Sequence, residues 1–145
     1  MTEGNGYCGI VGQSEKMLRL FEDVDGISTA SYPVLITGES GTGKELIAKA
    51  IHAKSGRSGS FLPYNCGAIP EKLAESELFG SMKGAYTDAV NKPGAFRSAN
   101  GGTLFLDEVT QLRPQHQVAL LRSIEEGVVY PLGSTDGVKV DVRIV

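Results

Sequence analysis

A chain of 145 residues is one domain in size and can bury a respectable core. Its 41% hydrophobic and 21% charged content is ordinary for a globular protein, and its longest apolar runs fall far short of a bilayer span, so no membrane segment is expected. A net charge of −3 with a pI near 5.4 gives no general electrostatic footprint for DNA, so any nucleic-acid contact must be local or made by parts outside this chain.

The amino terminus, Met1 to Gly6, lacks the basic and apolar regions of a secretory signal, which points to the cytoplasm. A lead-in segment with Ile10-Val11-Gly12 follows. The pattern over Ser14 to Val24 predicts a helix with Met17, Leu18, Phe21 and Val24 on one face and Ser14 as its N-cap. Next comes the apolar run Val34 to Thr37, read as a strand, then Gly38-Glu39-Ser40-Gly41-Thr42-Gly43-Lys44-Glu45, then a helical pattern over Lys44 to Ala53.

Strand, glycine loop and helix in that order predict a nucleotide-phosphate cradle. Gly38 and Gly43 allow backbone angles and approaches that a Cβ would block, and they turn successive N–H groups onto phosphate oxygens at the positive end of the helix. Lys44 adds a point charge for the β- and γ-phosphates. Glu45 stands where Ser or Thr usually places a hydroxyl on Mg²⁺, so a metal must find its ligands elsewhere.

The turn Gly56 to Ser60 leads into a strand over Phe61 to Asn65, and Glu71 to Phe79 reads as a short helix. A strand over Thr103 to Asp107 ends in two carboxylates, Asp107 and Glu108. In an open parallel sheet ligands sit beyond the carboxyl ends of strands, where both the phosphate loop and this acidic pair would lie. Asp107 is then the candidate Mg²⁺ partner, directly or through water, and Glu108 the group that orients or deprotonates the attacking water. Pro114 fits the first turn of a helix reaching Glu126, with Val118, Leu121 and Ile124 towards the core, and Val128 to Val140 suggests a hairpin. The class is α/β. Cys8 and Cys66 read as reduced thiols, and His52 and His116 as surface or boundary histidines outside any ligand cluster.

Several motifs in register resemble one family. Gly38 to Glu45, including the unusual Glu45, is similar to the Walker A element of the bacterial enhancer-binding proteins, the AAA+ ATPases that activate sigma-54 RNA polymerase. Asn65 to Pro70, Glu75 to Gly80, Lys83 to Ala89, Gly101 to Glu108, Leu120 to Arg122 and Asp141 to Arg143 resemble the same family in order and spacing, from about Ile10 to Val145. The resemblance implies a P-loop NTPase of AAA+ type, a parallel sheet with flanking helices, that binds ATP and Mg²⁺ and assembles into a ring.

It also implies residue roles. The segment Ile10, Val11, Gly12 would lie against the adenine, or Ile10 and Val11 simply pack. Asn65 would be the switch residue that hydrogen-bonds Glu108, or it is a plain turn-forming Asn. The run Gly84-Ala85-Tyr86-Thr87-Asp88-Ala89 is similar to the loop with which the family grips sigma-54, with Tyr86 for Phe and Asp88 for Gly. Tyr86 keeps a flat ring; Asp88 puts a carboxylate on the loop tip and withdraws the freedom of a residue without Cβ.

The matching stretch stops at the start of the family's sensor strand. Its sensor residue, arginine fingers, last sheet strand and helical lid would lie beyond Val145, and its DNA-binding element lies outside too. Residues 1–145 are therefore expected to be a partial α/β subdomain that binds nucleotide and hydrolyses it poorly. The other readings are a nucleotide-dependent regulatory module that no longer activates sigma-54, and a different AAA+ ATPase, against which the block Glu75 to Ala89 argues.

Overall fold

The computed structural model describes residues 6–145, so most of the amino-terminal stretch read for a secretory signal lies outside the described residues. Its centre is a parallel sheet of β1 (Phe61–Asn65), β2 (Thr103–Asp107) and β5 (Arg143–Ile144), in the order β1-β2-β5. Register runs from Phe61 opposite Thr103 to Asn65 opposite Asp107, so both strands end level. Between them in sequence come α3 (Glu71–Phe79) and α4 (Gly94–Ser98), and α5 (Pro114–Glu126) follows β2. The bounds of β1, β2, α3 and α5 are those the sequence pattern predicts.

Alternation along β2 explains why the middle of the sheet is apolar throughout. Leu104 and Leu106 face a cluster with Tyr64, Leu78, Phe79, Phe96 and Leu120, while Phe105 faces the other side with Phe21, Val24, Ile47 and Ile51. The second side is covered by α1 (Glu15–Ile27) and α2 (Lys44–Lys54). Ser14 caps α1 as predicted, its Oγ accepting from the N–H of Met17 at 3.2 Å. The helix continues one turn past Val24 to Ile27.

Four expectations need correction. Val34 to Thr37 forms no sheet ladder: it lies beside β5 through one bond, Val34 N–H to the Ile144 carbonyl at 3.0 Å, and Leu35 is 79% exposed. An apolar run supplies propensity but no partner, and β5 presents only Arg143 and Ile144 in ladder geometry.

Leu18 is 50% exposed, because Phe21 and Val24 set the buried stripe of α1 and Leu18 falls beside it. On α5 the face is rotated too. Val118 and Leu121 are each 54% exposed, and His116, Leu120 and Ser123 are buried instead. Two polar residues in that stripe hid it from a hydrophobicity pattern; Ser123 is satisfied by its own helix, its Oγ donating to the Ala119 carbonyl at 3.0 Å. His116 is thus a core residue rather than a surface one. His52 is a boundary residue whose Nδ1 lies 2.7 Å from Thr103 Oγ1.

The predicted hairpin is present as β3 (Val128–Val129) and β4 (Val138–Lys139), paired antiparallel.

Candidate functional site

The loop between Val34–Thr37 and α2 owes its shape to its glycines. Gly41 and Gly43 adopt φ of 78° and 93°, and a Cβ on Gly38 would stand 2.9 Å from Thr42 Oγ1. Gly38 therefore serves by close approach and Gly43 by its backbone angle, while Gly41 is a left-handed position that the sequence reading did not single out. Gly43 is the N-cap of α2 and brings no side chain, so the N–H groups of the first turn keep their free valence at the positive end of the helix.

Lys44 folds back over this loop. Its ammonium donates to the carbonyls of Gly38 at 2.9 Å and Glu39 at 2.7 Å, and Thr42 Oγ1 donates to the same Glu39 carbonyl at 2.7 Å. Glu45 is paired with Lys49 one turn on at 2.9 Å.

Across from the loop stands the end of β2. Asp107 accepts from the Glu108 N–H through Oδ1 at 2.9 Å, and Glu108 takes a left-handed conformation with φ 53° and ψ 43°. A non-glycine residue held there is uncommon and costs strain, which concentrates at functional positions. The loop and the acidic pair line one cleft of about 1010 Å³. Thr37, Gly38, Ser40, Gly41, Gly43, Lys44 and Glu45 form one wall, Asp107 and Glu108 another, and Leu106, Leu120, Ile124 and Ile144 an apolar end.

Other predicted residues lie outside it. Asn65 is beside Asp107 in register, but its Oδ1 accepts from the Gly67 N–H at 2.9 Å and no hydrogen bond joins it to Glu108. The geometry is that of the turn-forming alternative, because the tight turn after β1 offers a donor two residues on. Ile10 is buried against α1 and α2 while Val11 is 84% exposed, so Ile10 packs and Val11 does not. Cys66 is buried, and burial, reinforced by the charge of Asp107, pushes its thiol up to about 11, so it stays protonated and unreactive.

The run Gly84 to Ala89 is remote from the cleft, on the connection from α3 to α4. Its base is bound to the hairpin: Met82 N–H donates to the Leu132 carbonyl and Leu132 N–H to the Gly80 carbonyl, both at 2.9 Å. Gly133 has no side chain where one would press on Ala85, at 2.8 Å. This pairing of loop and hairpin was not legible, since nothing in either segment names the other. Tyr86 is exposed and Ala89 buried. Asp88 holds φ 63°, so the loop keeps a left-handed shape with an aspartate, a residue that tolerates it better than most.

The donor set suits a phosphate chain: free helix N–H groups, one ammonium, and a carboxylate at the facing strand end. No group of three or more His, Cys, Asp or Glu among the described residues could hold a metal alone. One carboxylate beside a phosphate site suits a hard cation that takes its remaining ligands from phosphates and water.

The fold is that of a P-loop NTPase domain, a parallel sheet with flanking helices. Residues 10–145 match the sigma-54 interaction domain, and the chain belongs to that family. It is 54% identical over 142 residues to the signal-transduction and transcriptional-control protein of Clostridium beijerinckii, covering 96% of this chain and 22% of that protein. It is 50% identical over 138 residues to the transcriptional regulatory protein GlrR of Escherichia coli K12, covering 94% and 31%. The structure of NtrX from Brucella abortus in complex with ATP superposes with a TM-score of 0.84 at 39% identity, over 93% of this chain and 29% of that one. The chain thus spans between about a fifth and a third of the length of the curated relatives it matches.

Proposed function

We propose that this chain is the ATP-binding and ATP-hydrolysing module of a cytoplasmic sigma-54-dependent transcriptional activator. The observation that carries this reading is the single cleft shared by the glycine loop with Lys44 and by Asp107 with Glu108, groups that lie more than sixty positions apart in sequence. NtrX, similar over nearly the whole of this chain, has been obtained with ATP and with ADP, which supports an adenine nucleotide here.

Bound MgATP would supply a terminal phosphoryl group activated by its metal. Lys44 and the first-turn N–H groups of α2 would hold the phosphates, and Asp107 the metal, directly or through water. Glu108 would take the proton of a water whose oxygen bonds to the terminal phosphorus, while the bridging bond breaks and leaves its electron pair on the diphosphate. The loop Gly84 to Ala89 would carry the mechanical output to sigma-54 polymerase, with the hairpin that binds its base as support. The 145 residues alone should turn over slowly: the arginine that neighbouring subunits commonly contribute is worth about 10³ to 10⁵ in rate.

Titration with a fluorescent ATP analogue tests the reading. A saturable, Mg²⁺-dependent signal that Lys44→Ala removes is expected; a signal unaffected by that substitution overturns the assignment.

A further inference from the structure

The segment that carries Gly84 to Ala89 leaves the body of the protein through a narrow neck. Ser81 and Lys92 face each other antiparallel and exchange both backbone bonds, Ser81 N–H to the Lys92 carbonyl at 3.1 Å and Lys92 N–H to the Ser81 carbonyl at 2.9 Å. In such a ladder the next hydrogen-bonded rung joins the residues two further along each strand, here Lys83 and Val90. Both of those backbone groups bond to side chains instead. The Lys83 N–H donates to Asn91 Oδ1 at 2.7 Å, and the Val90 carbonyl accepts from Ser81 Oγ at 2.7 Å. Side chains that satisfy the backbone in this way compete with ladder formation. Each bond still crosses the neck, so the two strands stay tied where their ladder ends. Beyond it the chain turns twice, Ala85 N–H donating to the Met82 carbonyl at 3.1 Å and Ala89 N–H to the Tyr86 carbonyl at 3.0 Å, with Gly84 at φ 88° and Asp88 at φ 63° in the third place of each turn.

We propose that Ser81 and Asn91 are positioning residues that end the ladder at its first rung and so hold open the loop that presents Tyr86 to its partner. Without their side chains the Lys83 N–H and the Val90 carbonyl pair with each other, and the neck closes by one rung. The inference rests on the reading of this loop as the contact with sigma-54 polymerase. Ser81 is 2% exposed, and a hydroxyl buried to that degree needs a partner, which the Val90 carbonyl supplies. The orientation of the Asn91 amide follows from its neighbour, because only its oxygen can accept from an N–H.

The test compares the chain as it stands with Asn91→Ala, with the double variant Ser81→Ala and Asn91→Ala, and with Asn91→Asp, which keeps an acceptor for the Lys83 N–H. Two readouts are followed: the nuclear Overhauser effect between the amide protons of Lys83 and Val90, which come together when the rung forms, and affinity for purified sigma-54 in the presence of MgATP. The double variant should gain the Overhauser effect and bind sigma-54 about tenfold more weakly, as when the open loop falls to about a tenth of the population. Asn91→Ala should move both readouts in the same direction and less, because the Val90 carbonyl keeps a second lone pair for Lys83. Asn91→Asp should match the unsubstituted chain. Affinity for the fluorescent ATP analogue should stay within about twofold in every variant, since neither residue lines the nucleotide cleft, and this also reports that each variant is folded.

An Overhauser effect already present in the unsubstituted chain, its absence from the double variant, or equal sigma-54 affinity across the set each overturns the clasp. So does an Asn91→Asp chain that behaves like Asn91→Ala. Failure of the unsubstituted chain to bind sigma-54 would instead strike the proposed function, and the Overhauser effect would still decide whether the two side chains stop the ladder.

Discussion

The guanidinium of Arg143 donates to the carbonyl of Ile27 at 3.0 Å, across 116 positions of sequence. A second bond reaches Ser28 at 3.3 Å, so β5 closes the carboxyl end of α1 with a cation where the helix dipole is negative. Arg143 is 1% exposed and has no carboxylate partner among the described residues; burial lowers its pKa, and the helix carbonyls offset part of that cost. Arg143→Ala should cost roughly 2–4 kcal/mol, from lost packing and two carbonyls left without their donor. Urea unfolding measures it, and a midpoint unchanged by the substitution would refute the capping role.

Lys44 gives the opposite profile. Its ammonium serves only exposed loop carbonyls, so Lys44→Ala should change stability by no more than about 0.5 kcal/mol. Nucleotide affinity should nevertheless fall by a factor of ten or more, since the charge opposite the phosphates is removed (about 1.4 kcal/mol per tenfold). Thermal melting with and without ATP separates the two: the free protein should melt unchanged and lose only its shift with ligand. A variant that melts early without ATP would make Lys44 a structural residue.

Asp88 poses a question of backbone before one of charge. At φ 63° a Cβ is disfavoured by roughly 1–2 kcal/mol for most residues, less for aspartate. Asp88→Ala should therefore destabilise by about 1 kcal/mol, while Asp88→Gly should be near neutral because relief of strain offsets added freedom in the unfolded chain. Equal stability of both variants would show that the loop relaxes out of this conformation. If the carboxylate hinders the partner, Asp88→Gly in the longer activator should increase open-complex formation with sigma-54 polymerase.

How much could be read in advance follows from which interactions are local. Periodicity and punctuation fixed β2, α3 and α5 to the residue, because Gly101-Gly102, Pro70 and Pro114 mark their starts in the chain itself. The phosphate loop was legible for the same reason: glycines, lysine and helix start are contiguous. What escaped depends on distant partners. A buried His116 and Ser123 broke the apolar stripe of α5, the run Val34 to Thr37 lacked the partner that a ladder needs, and the pairing of Met82 with Leu132 joins segments with no sequence in common. The approach of Glu108 to Gly67 escaped too, since the run Asn65-Cys66-Gly67 reads as a turn and nothing more.

Cys66 supplies a pH dependence whose sign is fixed by its surroundings. Its thiol is held at about 11 against an ordinary value of 9.0, first by burial and then by the charge of Asp107. Above pH 9.0 the unfolded chain releases this proton while the folded protein keeps it, so the contribution is whole below that pH and is lost as pH rises through about 11. Tyr7, raised to about 12 by burial and by its bond to Asp25, and Tyr64, raised by burial, weaken the fold in the same direction at higher pH. The urea midpoint should therefore fall from pH 9 upward, and Cys66→Ala should flatten the portion between 9 and 11 while leaving the steeper tyrosine limb in place. Parallel curves for the two proteins would mean that the thiol titrates freely in the folded state and is not shielded between β1 and the acidic end of β2.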